Sequence, residues 1–246
     1  MIDTAAVYAE TQRSLSEFVR GLPPEELHTN VPATPLWSVR DAVAHLAAEG
    51  RLATEGEGPR GVLDILASLN DPEQARLRDE WNAEEVGRRR DLPFDDVVAE
   101  WDEQAARVLP MLKGEESFPV QYPFIDSILV TDLSAHGQDI RNAVGRPGER
   151  DSPACRIALA GFAVTLGFRL DLLGIPALRL RYDGKERVCG STEPGATLAG
   201  DRYELFRTLS GRRSRRQIEA LDWEGDPEPY LSHIPAYGER FDDVSE

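Results

Sequence analysis

Asp132-Leu133-Ser134-Ala135-His136-Gly137-Gln138-Asp139-Ile140-Arg141 is the stretch around which the rest of the chain can be organised. On either side of it Ile125, Ile128, Leu129, Leu133, Ile140 and Val144 recur at three- and four-residue steps. That period predicts a helix, which Gly145-Arg146-Pro147-Gly148 stops. On such a helix Asp132 and His136 are one turn apart and project from one face, a spacing at which an oxygen and a nitrogen can close on one divalent ion. A third ligand has to come from elsewhere. The candidate is His45, in Trp37-Ser38-Val39-Arg40-Asp41-Ala42-Val43-Ala44-His45-Leu46.

That upstream stretch also reads as a helix. Ser38-x-x-Asp41 is a capping box, so the helix starts at about Ser38, and Trp37 just before it reads as a hydrophobic staple. Val39, Ala42, Val43 and Leu46 form its core stripe, with His45 at the edge. Further upstream, Asp3 can cap a helix whose apolar face holds Tyr8, Leu15, Phe18, Val19 and Leu22 and which Pro23-Pro24 ends. Downstream, Phe94, Val97, Val98, Trp101, Ala105, Val108 and Leu112 predict a helix from about Pro93 to Lys113, closed by Gly114. Between these, Gly50 to Gly61 weakens the helical signal, Gly61 to Leu66 suggests a short helical piece, and the charged run from Glu73 to Arg90 reads as a solvated helical face. Four substantial helices and no strand pattern before residue 147 predict an antiparallel bundle.

The pattern then changes. A helix from about Ser152 to Leu173 leads into Leu178-Arg179-Leu180-Arg181-Tyr182, which alternates as a half-buried strand should, and Asp183-Gly184 signals a hairpin. Arg187 to Cys189 and Ala196 to Leu198 read as short strands, Asp201 to Leu209 and Ser214 to Leu221 as helices. The expected fold class is therefore mainly α with an α+β C-terminal part, divided as residues 1–149 and 150–246.

With 246 residues, 41% hydrophobic and 29% charged, the chain can bury a full core. A net charge of −16 argues against non-specific binding to nucleic acid or to anionic membranes and points to small-molecule partners. Cys155 and Cys189 form no Cys-x-x-Cys pair, as expected of a reduced compartment. The N-terminus lacks the basic and apolar regions of a signal peptide, and the run from Ile157 to Phe168 is too short to span a bilayer, so a cytoplasmic location is expected.

Thr34-Pro35-Leu36-Trp37-Ser38-Val39-Arg40-Asp41-Ala42-Val43-Ala44-His45-Leu46, then Asp132 to Pro147, then Leu209-Ser210-Gly211-Arg212 together resemble the mycothiol-dependent maleylpyruvate isomerase family. The resemblance runs through nearly the whole chain in order. It implies a DinB-like four-helix metal-binding bundle followed by a small domain similar to sterol carrier protein 2. It also implies that His45, Asp132 and His136 are metal ligands, with aspartate at a position where the characterised isomerase carries glutamate.

Three protein ligands would leave an open position on the ion, as in catalytic rather than structural sites. Zinc is the first expectation, although a nitrogen and oxygen set also suits nickel, iron or manganese. The resulting expectation is a metal-dependent isomerase or S-transferase that uses a low-molecular-weight thiol, mycothiol by resemblance, against a small electrophile. The competing expectation is a non-catalytic binding protein for a lipid-like or thiol-bearing small molecule, with a structural metal. Asp139 is a candidate to orient a ligand or bind substrate, and Arg212 is a candidate partner for a substrate carboxylate. Arg213, Arg215 and Arg216 read as a solvated basic turn, the two cysteines as packing residues, and His28 and His233 as surface residues.

Overall fold

The computed structural model describes residues 2–246 and divides them into two compact units, one reaching to Gly148 and the other running from Glu149 to Ser245. Among the described residues no helix is long and apolar enough to cross a membrane.

The first unit is helical: α1 (Thr4–Arg20), α2 (Val39–Glu55), short α3 (Arg60–Leu63) and α4 (Ile65–Asn70), α5 (Pro72–Arg89), α6 (Phe94–Leu112) and α7 (Ile125–Ala143). Asp3 caps α1, as its sequence position predicts, by accepting from Ala6 N. Helices α1, α2, α6 and α7 form a bundle in which α2 packs on α6 and α7, and α1 on the same two. Its core is built from Tyr8, Leu15 and Val19 of α1, Val39 and Val43 of α2, Val98, Trp101 and Val108 of α6, and Leu129, Leu133 and Ile140 of α7. Two stretches are enclosed on all sides: Asp41 to Gly50 on α2, and Ile128 to Ile140 on α7, where Asp132 alone is only half-buried. A helix buried all round has no solvated face on which to place a polar side chain, so every polar group there needs a partner.

The structure corrects two expectations in this unit. Helix α2 does not weaken at Gly50 but runs to Glu55 and stops at Gly56, which adopts a left-handed φ of 75°. Gly50 is a contact rather than a break: a Cβ there would lie 2.9 Å from Gln104 Cβ, so its absence lets α2 and α6 close. The charged run is a fifth substantial helix, α5, and it is not merely solvated. Glu85 is buried and accepts from Arg51 of α2 at 2.8 Å, Arg88 at 2.6 Å and Arg89 at 2.7 Å, while Arg89 reaches on to Glu100 of α6. The helix was expected; what ion pairs, in place of an apolar stripe, concealed is that part of its face is buried.

The second unit holds α8 (Pro153–Leu173), β1 (Ala177–Tyr182), β2 (Lys185–Cys189), β3 (Pro194–Ala199), α9 (Arg202–Leu209), α10 (Arg215–Glu219), β4 (Asp222–Glu224) and α11 (Glu228–Leu231). The sheet order is β2-β1-β3-β4, with β1 antiparallel to β2 and parallel to β3, and β3 antiparallel to β4. The Asp183-Gly184 hairpin forms as its sequence predicts, with both residues at positive φ, 51° and 67°. Helix α8 packs on β1, β2 and α9. The architecture is mainly α with a small sheet in the C-terminal part; β4 and α11 are the elements that sequence patterning did not reveal.

Candidate metal centre

The chain before α2 is held in place before the helix begins. Val31 N donates to Trp37 O at 2.9 Å, Val39 N donates to Thr29 O at 3.0 Å, and Asn30 and Ser38 form an antiparallel bridge. Ser38 then caps α2 in the capping box its sequence predicts, its side chain accepting from Asp41 N while the Asp41 carboxylate accepts from Ser38 N at 2.9 Å. This fixes the start of α2, and hence the direction in which His45 projects two turns later.

His45 from α2 meets Asp132 and His136 from α7. One ligating atom from each of the three falls within 4.8 Å of the others. The Asp132 carboxylate stands between the imidazoles, with Oδ2 at 3.0 Å from His45 Nε2 and Oδ1 at 3.6 Å from His136 Nε2. The two rings lie edge to face with centroids 4.8 Å apart. Both histidines are buried, and Asp132 is the least covered of the three.

Trp37 covers the pair, its ring centroid 4.9 Å from His45 and 5.5 Å from His136. Sequence patterning suggested a staple for this residue; the bridged loop instead lays its ring on the imidazoles. A second residue that sequence reasoning passed over is Glu49, one turn beyond His45 on α2, buried and hydrogen-bonded to Asp132. Its signal was present, because His45-x-x-x-Glu49 has the same four-residue step as Asp132-x-x-x-His136.

The electrostatics follow from burial. Desolvation lowers the pKa of His45, an effect that Asp132 only partly offsets, so this ring is neutral at pH 7. Burial would raise Asp132, but the neighbouring rings of His136 and His45 and its hydrogen bonds hold it well below the usual carboxylate range. Glu49 goes the other way: burial first, and then the negative charge of Asp132, raise it well above the usual range, so of the two carboxyl groups it is Glu49 that holds the shared proton. A neutral imidazole beside an ionised carboxylate is the protonation state that metal coordination needs.

Asp139 is buried, with Oδ2 3.2 Å from His136 Nδ1, so it lies behind this ring rather than out toward solvent. Arg212 belongs to the second unit, where it is buried, donates to Ser210 O at 2.6 Å and lies 6.0 Å from the Tyr237 ring. The neighbouring arginines are paired with acids: Arg213 forks onto Glu204, Arg215 reaches Glu219, Glu228 and Glu239, and Arg216 pairs with Asp243. Cys155 and Cys189 are not joined in a disulfide, and both are buried in the second unit. His28 is exposed and His233 half-buried.

A helical bundle with buried histidines and a carboxylate converging from two helices, followed by a small α+β unit, defines a class of helical proteins with a potential metal centre. Within that class, the family model of the mycothiol maleylpyruvate isomerase N-terminal domain matches residues 8–141, a span that includes His45, Asp132 and His136, and the chain belongs to that family. Two solved structures share its fold. A crystal structure of the mycothiol-dependent maleylpyruvate isomerase is 13% identical with a TM-score of 0.55, and covers 90% of this chain and 91% of its own. A histidine-to-alanine mutant of that isomerase is likewise 13% identical over the same shares, with a TM-score of 0.54. No curated protein matches the chain.

Proposed function

We propose that this protein is a metal-dependent enzyme of the isomerase or S-transferase type that uses a low-molecular-weight thiol, mycothiol by kinship, against a small electrophilic substrate. The observation that carries the reading is the convergence of His45, Asp132 and His136, with three ligating atoms within 4.8 Å under the Trp37 ring. The residues fit a divalent ion. Two imidazole nitrogens and a carboxylate are a donor set suited to zinc, and three protein ligands leave a position open for a substrate or cosubstrate. Zinc bound there would supply a Lewis acid that lowers the pKa of a coordinated thiol or water.

The chain's own residues do the rest. Burial of both histidines and the cover provided by Trp37 keep bulk water from the centre and strengthen the charge interactions inside it. Asp132 supplies the negative charge and is steadied by Glu49, while Asp139 backs His136. In this reading the thiolate adds to one carbon of a substrate double bond and the electron pair moves onto the substrate; either rotation about the new single bond and expulsion of the thiolate restore the double bond in isomerised form, or a leaving group departs with its bonding pair and the C–S bond stays. The family kinship supports the choice of thiol; the substrate class rests on the chemistry a thiolate performs.

Metal analysis of the purified protein and of a His136→Ala variant tests this reading. The expected result is one ion per chain in the native protein and its loss in the variant. Absence of stoichiometric metal from the native protein overturns the proposal. Thiol-dependent turnover of electrophilic test substrates that disappears in His45→Ala supports an enzyme; a folded His45→Ala protein that binds small ligands as the native one does supports a binding protein instead.

A further inference from the structure

A metal-bound imidazole is ordinarily aimed by a hydrogen bond from the ring nitrogen that faces away from the ion. Neither histidine of the proposed centre has one. His45 Nδ1 and His136 Nδ1 are both buried with no hydrogen-bond partner among the described residues, and Asp139 Oδ2, though 3.2 Å from His136 Nδ1, stands out of line with it. The hydrogen bond between His45 Nε2 and Asp132 Oδ2, at 3.0 Å, uses the nitrogen that an ion would take, so it cannot aim the ring once an ion is bound. The two ring planes have to be fixed in another way.

Aromatic packing does this. Trp37, His45 and His136 form a group of three rings in which every pair is close. The indole lies 4.9 Å from His45 and 5.5 Å from His136, centroid to centroid, at interplanar angles of 35° and 42°, and the imidazoles are 4.8 Å apart at 71°. These separations are those of favourable ring pairs. In a close-packed interior a flat indole against two imidazoles resists rotation of either about its Cβ–Cγ bond, because turning one ring drives its edge into a neighbour. The tryptophan is itself anchored through its backbone: Trp37 N donates to Thr34 O at 2.8 Å, closing a turn with Pro35 in its second position, and Trp37 O accepts from Val31 N at 2.9 Å. Leu36 at the tip of that turn is exposed, so the turn is not built around burial of its tip. What it holds is the tryptophan.

We infer that Trp37 is a positioning residue: its ring sets the planes of both imidazoles and so directs Nε2 of His45 and Nε2 of His136, beside Asp132, toward one ion. The inference rests on the metal centre proposed above. It gives Trp37 a task distinct from excluding water, and one that a bulky aliphatic side chain cannot perform.

The test uses the whole protein and two variants, Trp37→Phe, which keeps a flat ring, and Trp37→Leu, which keeps an apolar cover without one. Zinc affinity is measured against a competing chelator. Cobalt(II) in place of zinc reads the geometry, since its visible absorption is intense in a tetrahedral site and weak in an octahedral one. Proton NMR of native protein with labelled tryptophan and histidine, with and without zinc, needs no substitution. The expected results are near-native affinity and an intense cobalt spectrum for Trp37→Phe, and for Trp37→Leu a loss of about 10- to 100-fold in zinc affinity with a weakened spectrum. In the native protein, cross-relaxation from the Trp37 ring to both imidazoles persists when zinc binds. Native affinity and an unchanged cobalt spectrum in a folded Trp37→Leu overturn the role of Trp37 and leave the metal centre standing, whatever that variant loses in stability. So does an equal loss in both variants, or the disappearance of the native ring contacts on zinc binding. Failure of the native protein to bind zinc overturns this inference together with the metal centre.

Discussion

Glu49 and Asp132 share a hydrogen bond between two carboxyl groups in the interior of the helical unit. Glu49 keeps its proton and Asp132 does not, so the bond runs from the Glu49 hydroxyl to the Asp132 carboxylate. Glu49→Gln retains an N–H donor in the same place and leaves the stability of the metal-free protein within about 1 kcal/mol of native. Glu49→Ala strips a donor from a buried carboxylate and costs about 1–3 kcal/mol. Urea unfolding of the two variants measures the difference, and equal losses would mean that the bond contributes nothing.

Glu85 is buried among Arg51, Arg88 and Arg89. Glu85→Ala would leave Arg89, itself buried, with only part of its charge compensated, and removing one member of a buried pair typically costs about 3–5 kcal/mol. Chemical denaturation should therefore show a large loss, and one much less sensitive to salt than surface pairs such as Arg76 with Glu80 would give.

Asp102 of α6 gathers three residues of α1, each one turn from the next: Gln12 donates to it at 2.7 Å, Ser16 at 2.8 Å and Arg20 at 2.6 Å. Partial burial works against its charge, but these donors hold its pKa below the ordinary 3.8. A depressed carboxylate stabilises the fold above its unfolded pKa, and that contribution is lost as pH falls through the folded one. The difference in melting temperature between native and Asp102→Ala protein is accordingly steady above about pH 5 and narrows as the solution is acidified below pH 4. A difference that instead widened on acidification would contradict the assignment.

Burial pushes the Cys189 thiol up to about 12, against the weaker opposing pull of Arg187. With almost no thiolate at pH 8, alkylation of Cys189 in the folded protein is expected to be slower than in denaturant by about a hundredfold or more. Peptide mapping after a timed iodoacetamide pulse measures this rate. Rapid labelling of the native protein would show an accessible thiolate and reopen the question of a cysteine nucleophile.

The residues that converge at the centre were legible because their signals are local. His45 sits in a capped helix, and Asp132 and His136 are spaced one turn apart; neither fact needs tertiary knowledge. Glu49 shows the same step from His45, yet a glutamate among alanines reads as solvated until burial from Asp41 to Gly50 is known. Trp37 could not be placed from sequence because its orientation depends on the Asn30–Ser38 bridge, which joins residues across a loop. Helix α5 was legible as a helix, but without an apolar stripe its buried face was not, and the three-residue β4 is too short for alternation to show. Gly50 looked like a helix breaker because the sequence does not show that Gln104 presses against it.

Ser38 has one further consequence. It terminates α2 as its cap, pairs with Asn30, and is the immediate neighbour of the tryptophan that roofs the imidazoles. Unwinding the first turn of α2 therefore also releases the roof. That turn is closed by its capping box and by Val39, which is fully buried, so such an opening is a rare local event rather than ordinary fraying of a helix end. The rate at which small molecules reach the two rings would then be governed by how often one helical turn breathes, and amide hydrogen exchange at Val39, Arg40 and Asp41 would report the same opening as ligand entry does.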